Sequence, residues 1–389
     1  MSKDNTNQAL KEYSNRKKRY KRRRNIIIIT LILILAVAAV AYFINLYNKN
    51  YQNYKVIKST EIKGESAVGY RSYGSAVIKY GKDGAIAYNK DGGLLWNGSY
   101  EMMDPMIDIC GKYVVIADRG NKSVHIYNQK GKAGNFETEY NILKAEVASQ
   151  GAVAVLMQEG DTNYIKVYNG SDRFERGNTI NNSGYPMDIS LSDDGKKLAV
   201  AYLTVSEGDI VSTVVFFNLS EIGESSNNLQ VGAYKFKKGI VLPDIEFLNN
   251  DTVVVYKNNG FVIYSIKQIP KDIKEVNLKG KILSILHNKS KLGVVLETKD
   301  GASRHLLLYD LKGKQILDKT LDFEYKKIFL TDTEIIMYDD LTCIVMKENG
   351  KEKFKHTFEG DIVDFYPVNN LDKYLLINEA KLSGIQLTE

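Results

Sequence analysis

The sequence predicts an all-β protein: an eight-bladed β-propeller of four-stranded antiparallel blades, with seven blades as the alternative count, preceded by one transmembrane helix. Three observations carry this. Eight of the nine positions from Arg16 to Arg24 are Lys or Arg, and they run into an uncharged apolar stretch, Ile26 to Ile44. A pattern of four strands recurs eight times in the rest of the chain. The 336 residues from Tyr54 to Glu389 then give a mean unit of 42, within the ~40 to 45 of a propeller blade, whereas seven blades would need about 48 each.

In chain order, residues 1–15 are polar without a sustained period and read as a disordered tail. The basic block follows: Arg16, Lys17, Lys18, Arg19, Lys21, Arg22, Arg23 and Arg24. Its nineteen apolar successors reach about 28 Å at helical rise, close to the hydrocarbon thickness of a bilayer. Basic residues beside a span stay cytoplasmic, and the far flank offers only Lys49 and Lys55. The expected orientation is therefore N-terminus inside and body outside, with the basic block drawn to anionic lipid by about 1 kcal/mol per residue. A nuclear-localisation reading of the block competes, but its abutment on Ile26 makes it a topology signal. Small residues in AVAAVA (36–41) allow a cleaved signal peptide, yet the apolar run continues past them and exceeds a signal-peptide core. An uncleaved signal anchor is the reading adopted. The expected divisions are a cytoplasmic tail 1–25, a transmembrane helix 26–46, a linker 47–53 and an extracytoplasmic propeller 54–389.

Charge supports that partition. The chain carries a formal +6, but residues 1–25 hold ten basic and two acidic residues, leaving the remainder at −2. The positive charge belongs to the tail, so the body is not read as a nucleic-acid binder. Cys110 and Cys343 stand far apart in apolar runs and are expected to be buried free thiols. A large exported domain without a disulfide framework suggests a bacterial envelope.

The clearest repeat is residues 185–202, YPMDISLSDDGKKLAVAY: an alternating strand, a turn centred on Asp194-Gly195, and a second strand of small and β-branched residues. Strands at 210–218 and 229–236 complete the unit. First strands of the other units are expected at SAVGYRSY from Ser66, PMIDIC from Pro105, LKAEVASQ from Leu143, LPDIEF from Leu242, ILSILHN from Ile282, YKKIFLT from Tyr325 and DIVDFYP from Asp361. The last unit stops one strand short, while YKVIKSTEI (54–62) is a strand with no unit. If it completes the eighth blade, the termini latch the ring and no long edge is left open.

YPMDISLSDDGKKLAVAY resembles the hairpin of WD40-like and surface-layer-type propellers. AIAYNKDGGLLW (85–96) resembles the quinoprotein-like repeat, a strand, a glycine turn and a strand ending in Trp. With the anchored layout, the chain looks like a group of bacterial single-pass membrane proteins with a quinoprotein-like ectodomain. Quinone enzymes of that kind use stacked tryptophans, and Trp96 is the only tryptophan here, so no cofactor is expected.

The four histidines, His125, His287, His305 and His356, show no metal-ligand spacing, and no catalytic motif is present. Neither a metal site nor a catalytic residue is assigned. Acidic residues recur in the first strands: Asp108, Asp188, Asp244 and Asp364, with Glu146 similarly placed. First strands surround the channel, so these carboxylates form a ring that holds a cation or basic ligand, or they accept backbone hydrogen bonds that fasten blade to blade. Fastening is the preferred reading. Glu207 and Asp209, in the long hairpin SEGD (206–209), are expected to project from the face where propellers commonly bind. The function expected is a non-enzymatic, membrane-anchored binding or scaffolding module for other envelope proteins or wall polymer. A polysaccharide lyase or hydrolase, or a ligand sensor, is the alternative.

Overall fold

The structure is a computed structural model that describes residues 3–62, 67–169, 173–178, 184–224, 227–368 and 371–389. Ser66, where the first inner strand was expected to begin, and the turn at 170–172 lie outside the described residues. The chain divides into two compact units, Met1–Asn50 and Tyr51–Glu389.

The first unit is dominated by one α-helix, Lys3–Asn48. It begins well before the apolar stretch, so the polar segment read as a disordered tail is helical from Lys3. Ala, Leu, Lys, Glu and Gln in NQALKE explain this, since straight-chain residues lose little freedom in a helix. The helix also takes in the first two residues of the expected linker, Tyr47 and Asn48. Its apolar side chains between Ile26 and Tyr42 are exposed.

The second unit holds eight separate four-stranded antiparallel sheets. We number them as blades 1 to 8, each with an inner, second, third and outer strand. The inner strands are Gly69–Tyr73, Pro105–Cys110, Asn141–Val147, Tyr185–Leu191, Asp244–Asn249, Lys281–His287, Lys327–Leu330 and Asp364–Pro367. All eight fall where the repeat places them. Blades 1 to 7 are simple meanders. Blade 8 takes its outer strand from the other end of the body: Asn53–Glu61 pairs antiparallel with Lys381–Thr388, from Asn53 opposite Thr388 to Glu61 opposite Lys381. The expected latch is present, and the eight-bladed count holds over seven. Tyr51 extends the latch, donating its N–H to the Lys353 carbonyl at 2.8 Å in blade 7.

Burial follows strand position. Second strands such as Thr252–Lys257 (TVVVYK) are covered on both faces and read as continuous apolar runs. Outer strands such as Lys271–Asn277 are mostly exposed. The core is therefore eight clusters, one at each seam between adjacent blades. At the seam of blades 1 and 2, Trp96 stacks on Tyr127 with ring centroids 4.8 Å apart and planes 7° from parallel. Gly98 permits the approach of Tyr127, because a Cβ there would lie 2.4 Å from the tyrosine ring.

Turns divide between two faces. The lower face carries the turns from inner to second and from third to outer strands. The upper face carries the turns from second to third strands and the blade-to-blade connections. At Asp193-Asp194-Gly195 the chain makes a turn closed by Gly195 N–H to Ser192 O at 2.7 Å, with only Gly195 at positive φ, 64°. It is longer than the two-residue hairpin that Asp-Gly suggests. After the third strand of blade 4 the chain makes a short helical turn, Glu221–Glu224, and Asn228 and Leu229 then take positive φ of 55° and 61° before the outer strand.

Candidate functional site

Along each inner strand, alternate residues point to opposite faces of the blade. Ile245 and Phe247 are buried in the seam of blades 4 and 5, while Asp244 and Glu246 lie on the other side of the strand and are half-buried. Three of the expected carboxylates fasten seams. The Val147 N–H donates to Asp108 Oδ2 at 2.8 Å across blades 2 and 3. Across blades 3 and 4, the Leu191 N–H donates to Glu146 Oε2 at 2.7 Å. Across blades 4 and 5, the Ile245 N–H donates to Asp188 Oδ2 at 2.9 Å, and the Phe247 N–H to Ser190 Oγ at 2.9 Å.

Lys144 sits among these acids. Its ammonium lies 2.8 Å from Glu146 Oε1 and 2.5 Å from Asp188 Oδ1, and donates to the Ile189 carbonyl at 2.9 Å. Burial works against that charge, but Glu146 and Asp188 outweigh it and hold the lysine above its ordinary pKa. One cation serves five carboxylates, and the acids show the imbalance. Burial pushes Glu146 up to about 7 despite Lys144. Burial and the Asp188 charge push Asp244 up to about 6. Burial, then Glu146, raise Glu246 well above the carboxylate range, and burial also raises Asp108. Among the described residues, the side chains of Asp244 and Glu246 have no hydrogen bond or ion pair.

Asp364 does not join this group. It accepts from Lys327 Nζ at 2.7 Å, from Tyr338 Oη at 2.5 Å and from Tyr366 Oη at 2.7 Å, tying blade 7 to blade 8. Tyr366 Oη also lies 3.0 Å from the Tyr70 carbonyl of blade 1. The expected carboxylate ring is thus one cluster over blades 2 to 5 and a separate pin between blades 7 and 8. Lys144, Glu246 and Lys327 were missed. The first two were legible, each two residues from a residue already singled out and so on the same side of its strand.

Glu207 and Asp209 lie on the upper face as expected. Glu207 and Gly208 form a two-residue turn with φ of 55° and 81°, while Asp209 pairs with Lys238. The eight basic residues from Arg16 to Arg24 are exposed on the long helix. Cys343 is buried and Cys110 half-buried, both as free thiols. Burial pushes Cys110 up to about 12, and it donates to Asp193 Oδ1 at 3.4 Å.

Among the histidines, burial pushes His287 down to about 4, and Lys144 adds to that effect. His305 forms a chain that the sequence did not reveal: Ser303 Oγ lies 3.2 Å from Nε2, and Asp318 Oδ1 lies 2.8 Å from Nδ1. That order resembles a nucleophilic triad. However, the N–H groups of Gly301, Ala302 and Ser303 are all engaged within their own loop. Those three amides are therefore not free to stabilise an oxyanion beside Ser303. Among the described residues, no group of three or more His, Cys, Asp or Glu is arranged to hold a metal ion.

A closed eight-bladed ring with seam-fastening polar residues defines the chain as a β-propeller protein. Residues 47–387 match the family described as "Family of unknown function (DUF5711)", and the chain belongs to that family. No curated protein matches it. Several solved structures share its fold. Sqt1 from Saccharomyces cerevisiae superposes with a TM-score of 0.58 at 12% identity, covering 88% of this chain and 100% of its own. BamB from Moraxella catarrhalis gives 0.53 at 11% identity, with 86% and 100% covered. Apo AztD from Citrobacter koseri gives 0.51 at 12% identity, with 77% and 88% covered.

Proposed function

We propose that the chain is a single-pass membrane protein of the bacterial envelope, whose propeller acts outside the cytoplasmic membrane as a non-enzymatic binding or scaffolding module. Residues 1–25 are the cytoplasmic tail, 26–46 the span, 47–53 the connector and 54–389 the ring. Its partners are other envelope proteins or wall polymer. The observation that carries this reading is the combination of an apolar helix with uncovered side chains and a ring latched by its own termini. Asp108, Glu146, Asp188 and Asp364, the residues with most chemical potential, are engaged in holding blades together. A rigid platform on a tether is what such an arrangement offers.

The test is made on the full-length chain in intact cells. Sedimentation with membranes, protease sensitivity of the ring only from outside, and specific co-purification of an envelope component are expected. A chain found in the soluble fraction, or one that retains nothing specific from membranes, would sink the proposal. The second reading, a polysaccharide-active enzyme, draws on Glu146 and Asp244, since raised carboxylates are common in active sites. Turnover of a wall polymer that Asp244→Asn abolishes would favour it.

A further inference from the structure

The outer strands form the rim of the ring, and their exposed apolar side chains are unevenly spread. Val56 and Ile57 on blade 8 are 54% and 53% exposed, and Leu94 and Leu95 on blade 1 are 64% and 45% exposed. Among the described side chains, the other outer strands expose only Ile273 on blade 5 and Ile316 on blade 6. Four of six thus fall on two neighbouring blades, in two adjacent pairs. The pairing of each strand skips one member of its pair, Ile57 on blade 8 and Leu95 on blade 1. Both are β-bulges, which re-aim side chains at a sheet edge. The two blades touch at Gly92 and Thr60, where a Cβ on the glycine would lie 2.6 Å from Thr60 Oγ1. Single exposed aliphatics are ordinary, whereas a group of them on adjoining strands marks a surface that is covered in use.

Charge at this rim has one sign. Residues 53–60 contain Lys55 and Lys58, both exposed, and no acid, while residues 94–99 contain no charged residue. The opposite sign stands on the upper face over blades 6 to 8. There the turns and connections between Thr298 and Ala380 hold eight acidic and two basic residues.

The chain also limits how far this rim can stand from a bilayer. The long helix ends at Asn48, and the Tyr51 N–H is already bonded to Lys353 of blade 7, so only Lys49 and Asn50 lie between. Three Cα steps reach about 11 Å. Val56 and Ile57 follow in the same strand segment that the chain enters from there.

We infer that the rim of blades 8 and 1 rests on the surface of an anionic bilayer, with Val56, Ile57, Leu94 and Leu95 at the boundary of headgroups and acyl chains and with Lys55 and Lys58 on lipid phosphates. The inference rests on the membrane-anchored reading and adds which side of the ring meets the lipid. Apolar side chains flanked by lysines are the composition of interfacial binding, and anionic lipid attracts lysines held near its surface. The acidic sector over blades 6 to 8 is repelled by the same surface and is left in water.

The experiment uses the full-length chain in vesicles of phosphatidylcholine with and without phosphatidylglycerol. A photoreactive phenylalanine analogue is placed at position 57 or 94, or at the control positions 273 and 316, and adducts are identified by mass spectrometry. Lipid adducts are expected from positions 57 and 94 at several times the yield from the controls, with the higher yield where phosphatidylglycerol is present. Lys55→Glu with Lys58→Glu should lower the yield several-fold in those vesicles, and Val56→Ser with Ile57→Ser should lower it at position 94. All four residues are exposed, so neither variant disturbs the core. Equal yields from all four positions would overturn the inference and leave the anchored ring standing. So would adducts of positions 57 and 94 with a second copy of the chain or another protein in place of lipid, or yields indifferent to phosphatidylglycerol and to the charge reversal. A chain that does not enter the vesicles at all would defeat the membrane-anchored reading itself.

Discussion

From blade 2 to blade 5 the seams are closed near the centre by side chains of one strand accepting N–H groups of the next, as Asp108, Glu146, Asp188 and Ser190 do. From blade 7 round to blade 1 they are closed by side chains meeting side chains: Lys327, Tyr338 and Tyr366 on Asp364, and Lys353 and Tyr374 on Glu334. The first arrangement makes Asp108 dispensable as a charge, because an amide oxygen accepts from a backbone N–H as well, while Glu146 and Asp188 also answer Lys144. The second makes each charge depend on its partner. One ring thus contains seams that tolerate neutralisation and seams that do not.

The largest expected effect is at Lys353 and Glu334, both almost fully buried. Lys353→Met leaves the Glu334 carboxylate without its cation and should destabilise the ring by about 3 to 5 kcal/mol, while adding Glu334→Leu should recover most of that loss. Denaturant unfolding followed by Trp96 fluorescence reports it, since Trp96 is the only tryptophan and lies in the ring. Equal losses in the single and double variants would show that shape, not charge, holds this seam.

A direct contrast of the two halves comes next. Asp364→Asn removes a charged acceptor shared by one lysine and two tyrosines and should cost about 2 to 3 kcal/mol, whereas Asp108→Asn keeps an acceptor for Val147 and should cost about 1 kcal/mol or less. The same fluorescence measurement decides. Equal costs would erase the distinction between the halves.

Most of the fold was legible in the sequence, because a blade is a local object. Each strand pair is closed by a short turn, and SDDG, NKDGG and their counterparts mark those turns without reference to anything distant. Even the latch was legible, since an unpaired strand at 54–62 and a blade lacking one strand explain each other. Legibility stopped where neighbours in space are far apart in sequence. Asp364 shows the same residue type on the same kind of strand as Asp108, yet only the lysine and tyrosines facing it make it a separate pin. Lys144 could be placed on the side of Glu146 from its spacing alone, but its second partner, Asp188, is 44 residues away and only the fold brings it within 2.5 Å. The long helix differed for a simpler reason: hydropathy marks where a bilayer would be crossed, not where helical backbone begins.

The pH dependence should also separate the halves. Glu146 is held at about 7 and Asp244 at about 6, above the roughly 4 of an unfolded chain. As pH rises through that window the unfolded state loses its protons first, so it binds fewer than the native state and stability falls. The decline should begin near pH 4 to 5, end near pH 7 and amount to about 3 kcal/mol, at roughly 1.4 kcal/mol per unit for coupled groups. Denaturation midpoints at pH 5.5 and pH 7.5 test it. A ring more stable at pH 7.5 than at pH 5.5 would mean that the acidic cluster is better compensated than its single lysine allows.

Glu246→Gln isolates the source of that slope. Glu246 belongs to the same cluster, its side chain has no hydrogen bond or ion pair among the described residues, and its carboxyl is raised by burial and by the Glu146 charge. Once ionised it repels Glu146, Asp108 and Asp244, so on the alkaline side a neutral isostere should stabilise the ring by about 1 kcal/mol, one favourable change among the many that usually destabilise. Toward acid pH, as the raised carboxyl takes up its proton, the substitution should change less. The gain must therefore appear as a flatter stability profile and not as a uniform shift. A uniform shift would place the benefit in packing; no gain at pH 7.5 would mean that a cation already answers the charge of Glu246. The matching substitution in the other half, Asp364→Asn, is expected to lower stability at both pH values, which makes the sign of the two changes the sharpest separation of the two kinds of seam.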